Sequence, residues 1–141
     1  MTPIDTLFSI KKSRKMTDTI DEFAGITVQT TLNTLGEVIV EANIENGWDV
    51  ATNADWLLIG ENPSVNVDKL MRLLALIHSE VSEAVEEVRV GDRVKFTEEL
   101  ADVIIRTLDL SVGLGLDIGS AVVQKIEKNQ KRGQRHGGKL A

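Results

Sequence analysis

Between residues 18 and 133 a single proline, Pro63, interrupts long stretches in which apolar residues recur at every third or fourth position. That spacing draws an apolar stripe along a helix, and a chain that repeats it with short polar connections folds as helices packed on helices. Three phenylalanines and no tyrosine point away from a sandwich or barrel. The expected fold is all-α, like a four-helix bundle. At 141 residues the chain supplies one core, so a single domain over 18–141 is expected behind a basic arm at 1–17.

Four segments carry the pattern. The first runs from about Asp18 to Asn46, with Val28, Leu32, Leu35, Ile39 and Ala42 on one stripe and Gly25 as a potential break. A loop follows, opened by Asn46-Gly47 and closed by Asn62-Pro63-Ser64, and it holds both tryptophans, Trp48 and Trp56. The second helix is expected over Val67 to Val90, with Glu80 on the shoulder of its apolar face and Glu83 further round. The third, about Val94 to Val112, is apolar over most of its circumference and is therefore expected to be buried. Its polar strip carries Glu98, Glu99, Asp102, Arg106 and Asp109. Asp117 is placed to cap the fourth helix, which should close at Gly133. Along that helix Lys125, Asn129 and Arg132 continue the line of Ile118, Ala121 and Val122.

Charge excludes several functions. Ten of the sixteen cations lie in residues 10–15 and 125–139, which leaves residues 16–124 with fourteen more acids than bases. Such a body repels a nucleic-acid polymer, whose binding depends on cations that neutralise many phosphates. It can hold a metal ion, and the metal can hold a small phosphate ligand. With no cysteine there is no disulfide, thiolate zinc site or cysteine nucleophile. No apolar run approaches the roughly 18 residues of a membrane span, and no secretory signal opens the chain, so a cytoplasmic protein is expected.

The acidic pairs Glu80/Glu83 and Glu99/Asp102 concentrate the chemistry. A separation of three puts both members of a pair on one helical face, and clustered carboxylates repel unless a cation lies among them. The spacing alone is common, since Asp18/Asp21 and Glu83/Glu86 share it. What is informative is that two pairs fall on consecutive helices joined by a turn at Gly91 and Asp92, with a cationic helix after them. Four carboxylates so placed suit a hard divalent cation such as magnesium.

With these residues the chain resembles the MazG-type nucleoside triphosphate pyrophosphohydrolases of the all-α NTP pyrophosphatase superfamily. The likeness lies in Glu80-Val81-Ser82-Glu83, then Glu99-Leu100-Ala101-Asp102, then Lys125, Asn129 and Arg132. It extends over about Leu32 to Lys139, including Asn46-Gly47-Trp48 and His136-Gly137-Gly138-Lys139. The resemblance implies hydrolysis of a nucleoside triphosphate, a dNTP or modified NTP, to monophosphate and pyrophosphate. It implies Mg2+, with Mn2+ as a substitute, held by Glu80, Glu83, Glu99 and Asp102. Lys125, Asn129 and Arg132 would grip the triphosphate, and Trp48 and Trp56 offer flat surfaces for a base. The proton acceptor stays open between a glutamate of the motif and Glu98, because Ser79 stands where some relatives carry another acid.

Arg106, one turn beyond Asp102, is expected to pair with Asp102 or Glu99, or to reach a phosphate. His78 lies on another face from Glu80, and neither it nor His136 has a glutamate three residues before it, which argues against a ferritin-like di-iron site. The remaining alternatives are a phosphoribosyl-ATP pyrophosphohydrolase-like enzyme and a non-catalytic helical interaction module. The apolar surface of the first segment and of part of the third exceeds what one small bundle covers, so a homodimer or homotetramer is expected.

Overall fold

A computed structural model describes residues 22–57 and 64–131 of the chain. The basic arm at 1–17, residues 58–63 at the end of the expected loop, and Arg132, Gly133 and His136 lie outside the described residues. Within them the chain is all-α apart from one short ladder. Helix α1 spans Glu22–Glu45, α2 Val67–Val90, α3 Arg93–Gly113 and α4 Ile118–Lys131. Between α1 and α2 lie a 3-10 turn at Asn53–Asp55 and two antiparallel two-residue strands, β1 (Trp56–Leu57) and β2 (Ser64–Val65). No helix among the described residues is long and apolar enough to cross a membrane.

Each boundary has a local cause. Asn66 caps α2 by accepting from the amide of Lys69 at 3.3 Å, and Gly91 ends that helix in the left-handed region at φ 76°. Asp92 then caps α3, accepting from the amides of Val94 and Lys95 at 3.1 and 3.0 Å. The two residues between α2 and α3 therefore turn the chain back on itself, and these two helices pack along their lengths. Gly25 does not break α1, which runs through it as a buried residue.

Helix α1 crosses α3 and α4 by close approach. A Cβ on Gly36 would stand 2.3 Å from Cγ2 of Val112 on α3, and one on Gly119 of α4 would stand 2.3 Å from the carbonyl oxygen of Gln29. Asp117 secures the second crossing. Its carboxylate accepts from Asn33 Nδ2 at 2.8 Å, Gln29 Nε2 at 3.1 Å and the Ser120 amide at 3.0 Å, so the cap of α4 also ties it to α1.

The loop before α2 is fastened at Lys69. Its ammonium reaches the Val50 carbonyl at 2.9 Å, Asp55 at 3.0 Å and Asp49 at 3.1 Å. Asp55, itself buried, also accepts from the Thr52 amide at 2.9 Å and from Asn66 at 3.0 Å. These bonds set the path of the segment that carries Trp48.

The core is small. Ala51, Leu70, Leu73 and Leu114 form it, with Leu76 and Leu110 packed against them. The expectation that α3 is buried is corrected here: Leu100, Ile104 and Ile105 are 44%, 53% and 40% exposed, and only Leu108 and Ser111 of this helix are buried. Periodicity tells which residues are apolar around a helix but not whether one chain has enough partners to cover them.

Candidate metal centre

The α2–α3 hairpin brings acids from both pairs together. One carboxylate oxygen from each of Glu80, Glu83 and Glu99 lies within 4.8 Å of the other two. Glu80 is buried, Glu99 half-buried and Glu83 exposed, so the trio opens from the helix interface toward solvent. A magnesium ion with oxygens at about 2.1 Å needs neighbouring oxygens about 3 Å apart and opposite ones about 4.2 Å apart. The trio's mutual limit of 4.8 Å is of the same order as those separations, and three carboxylate oxygens are the donor chemistry that a hard cation prefers.

The electrostatics register the crowding. Burial holds the Glu99 carboxyl above its usual range, and repulsion from Glu83, Glu80, Asp102 and Glu87 adds to the shift. One cation already answers part of this charge. Arg106 donates from Nε to Oε1 of Glu80 at 2.5 Å. The sequence pointed to an ion pair for Arg106 but with Asp102 or Glu99; the partner is Glu80, on the facing helix.

Asp102 falls outside the trio and borders an adjoining cavity of about 320 Å³. Arg106 and Asp109, one and two turns further along α3, share its wall, and Leu73, Leu76 and Ile105 give it an apolar side. Across from α3 stand Trp48, Asp49 and Arg72. Asp49 pairs with both Lys69 and Arg72, and hydrogen bonds from these two cations hold its carboxyl below the usual range. Asn43 donates to Asp109 at 2.9 Å, joining α1 to the same cavity.

The two tryptophans part company. Trp48 lines the cavity and is 67% exposed, while Trp56 lies on β1, 50% exposed and not part of the cavity lining. Lys125 and Asn129 are exposed on α4, and neither borders the cavity or joins the acidic trio. Glu98 is exposed and apart from the trio, His78 is an exposed residue, and Ser79 donates to the Leu76 carbonyl at 2.7 Å.

Arg72 and Asp109 join the cavity wall without being among the site residues expected from the sequence. A signal existed for both. Arg72, Leu76, Glu80 and Glu83 follow one another at helical spacing on α2, and Asp102, Arg106 and Asp109 do so on α3, so each acid pair continues into the cavity wall.

No curated protein and no solved structure matches the chain significantly. Residues 69–136, which contain both acid pairs and α4, match the family profile of the MazG nucleotide pyrophosphohydrolase domain. An all-α frame, a hairpin that gathers acids from both pairs and this match agree, and residues 69–136 are similar to the MazG nucleotide pyrophosphohydrolase domain.

Proposed function

We propose that the protein is a magnesium-dependent nucleoside triphosphate pyrophosphohydrolase that cleaves a dNTP or modified NTP between the α and β phosphates, releasing monophosphate and pyrophosphate. The observation that carries this reading is the convergence of Glu80, Glu83 and Glu99 beside a cavity bordered by Asp102, Arg106 and Trp48, inside the segment that matches the family. Glu80, Glu83, Glu99 and Asp102 would hold the cation, with Mn2+ able to replace Mg2+. When bound, the ion supplies charge neutralisation at the phosphates and acidifies a water molecule.

The chain's own residues do the rest. Trp48 offers an exposed indole face on which a base stacks, and stacking of this kind tolerates any base. Trp56 stays in the proposal only as a second aromatic surface outside the cavity. Arg106 and Arg72 are the cations at the cavity wall and meet phosphate oxygens there. Lys125 and Asn129 grip the outer phosphates from the exposed side of α4, and Arg132, which follows in the sequence, is the third donor proposed. The proposed domain spans 18–141.

The working form is a homodimer or homotetramer. Ile26, Leu35, Val38 and Ile44 on α1 and Leu100 and Ile104 on α3 are between 43% and 60% exposed, an apolar surface that a second copy would cover. Light scattering that gives a stable, active monomer would remove this part of the reading.

The test is pyrophosphate release from a panel of standard and modified dNTPs and NTPs, with and without magnesium, for wild type and Glu83→Gln. Turnover is expected only with the metal, and a loss of at least about 100-fold is expected for the variant, the scale of removing one group that stabilises transition-state charge. Equal turnover by both proteins would refute the ligand assignment, and no turnover of any nucleotide would favour a helical interaction module. Preference for phosphoribosyl-ATP would move the enzyme to the neighbouring activity of the superfamily.

A further inference from the structure

We propose that Arg106 is a charge place-holder for the cation: without metal its guanidinium neutralises Glu80, and a divalent ion entering among Glu80, Glu83 and Glu99 takes Glu80 from it and frees the guanidinium for substrate phosphate. This rests on the reading of the trio as a metal site.

Three observations lead there. The side chain of Glu80 is only 8% exposed, and two more carboxylates stand within 4.8 Å of it. A charge so enclosed needs a counter-charge, since leaving it unpaired is strongly destabilising. Second, among the described residues Arg106 is the one basic side chain that forms an ion pair with any of the three acids. Third, Arg106 is 36% exposed and lines the cavity as well as bonding Glu80, so its side chain stands at the boundary between trio and cavity.

The physics sets the two states in competition. A guanidinium stays charged at any pH the protein will meet, so it cannot leave Glu80 by losing its proton. A divalent cation on the same enclosed carboxylate repels the guanidinium and takes over its counter-charge, so the ion weakens the hold of Glu80 on Arg106. Release needs only side-chain rotation, because the exposed part of Arg106 already borders the cavity. There it meets the planar, multi-oxygen acceptor that a guanidinium binds best, a phosphate. Entry of the ion and readiness for substrate are thereby one event.

The experiment measures binding of Mn2+ alone and Mg2+ alone to the full chain by titration calorimetry, with thermal unfolding beside it, for wild type, Arg106→Gln and Arg106→Lys. Arg106→Gln is expected to bind Mn2+ at least about tenfold more tightly than wild type, because a nearby positive charge has gone. Its metal-free form should melt lower, and Mn2+ should raise its melting temperature by more than it raises that of wild type. Arg106→Lys, which keeps the charge, should stay within about threefold of wild type. Equal or weaker Mn2+ binding by Arg106→Gln would overturn the proposal, as would equal tightening in both variants. If Arg106→Gln does not fold without metal, recovery of its helical circular dichroism on refolding in Mn2+ is the expected result, and no recovery overturns the proposal. A wild type that binds neither ion would instead remove the metal reading itself.

Discussion

Lys69 and Asp55 meet at 3.0 Å with side chains 18% and 11% exposed, and the pair joins the first turn of α2 to the loop that follows α1. A lysine in the first turn faces the positive end of its helix, so this placement is tolerated only because Asp55, Asp49 and the Val50 carbonyl surround the ammonium.

Lys69→Met should therefore destabilise the fold by about 3 kcal/mol, since it leaves Asp55 buried without its cation. Urea denaturation at neutral pH gives the number. The loop would loosen before the helices do, so faster amide exchange in residues 49–57 is the accompanying sign. A loss below about 0.5 kcal/mol would mean that the bonds from Thr52 and Asn66 suffice for Asp55.

Acid should act through two carboxylates. The Thr52 amide and Lys69 hold the Asp55 carboxyl down to about 2, and the Asn33 amide group with Ser120 does the same for Asp117. Both lie below the ordinary value of 3.8, so the folded state binds fewer protons than the unfolded one as pH falls. Their stabilisation is complete above about pH 4 and drains away between about 4 and 2. Melting temperatures should be level from pH 7 to 5 and fall steeply below 4, with a shallower fall in Asp117→Asn. A variant whose acid limb matches that of wild type would show that Asp117 does not contribute to it.

Helix crossings make a ranked prediction. At Gly36 the obstructing atom is a methyl group of Val112, whereas at Gly119 it is the backbone carbonyl of Gln29. A methyl can shift more easily than a helix. Gly119→Ala should cost about 1–3 kcal/mol even after the gain in helix propensity, and Gly36→Ala clearly less. Thermal unfolding of the two proteins decides, and the reverse order would argue against the close α1–α4 contact.

Substrate handling should separate the tryptophans. Trp48→Ala removes the indole that borders the cavity, and the loss of one stacking contact raises KM by about tenfold or more. Trp56→Ala should leave KM within about twofold, because β1 lies outside the cavity lining. Steady-state kinetics on the preferred nucleotide distinguish them, and equal effects would place the base elsewhere.

Helix positions were legible in the residues because caps and periodicity are local. Val67 to Val90 came out as read, and α3 extends one residue beyond the expected segment at each end, to Arg93 after the Asp92 cap and to Gly113. The β1–β2 ladder was not legible, since two residues per strand leave no alternation to detect. At the site, the meeting of Glu80, Glu83 and Glu99 could be anticipated from spacing on two consecutive helices. The Glu80 partner of Arg106 could not, because spacing within α3 orders Arg106 relative to Asp102 and Glu99 but says nothing of the rotation of α2 against α3. The exposure of Leu100 and Ile104 was hidden for a similar reason: burial depends on what covers a helix.

The two-residue turn at Gly91 and Asp92 has a consequence for how the protein is made. Glu83 and Glu99 are sixteen residues apart, so the loop that must close to bring them together is among the cheapest in the fold. The contacts of α1 with α3 and α4, by contrast, span most of the described chain, as Gln29 and Gly119 illustrate. A hairpin with such local contacts can form early in folding, ahead of the long-range crossings that fix α1. The acids would then be gathered while the rest of the chain is still finding its place.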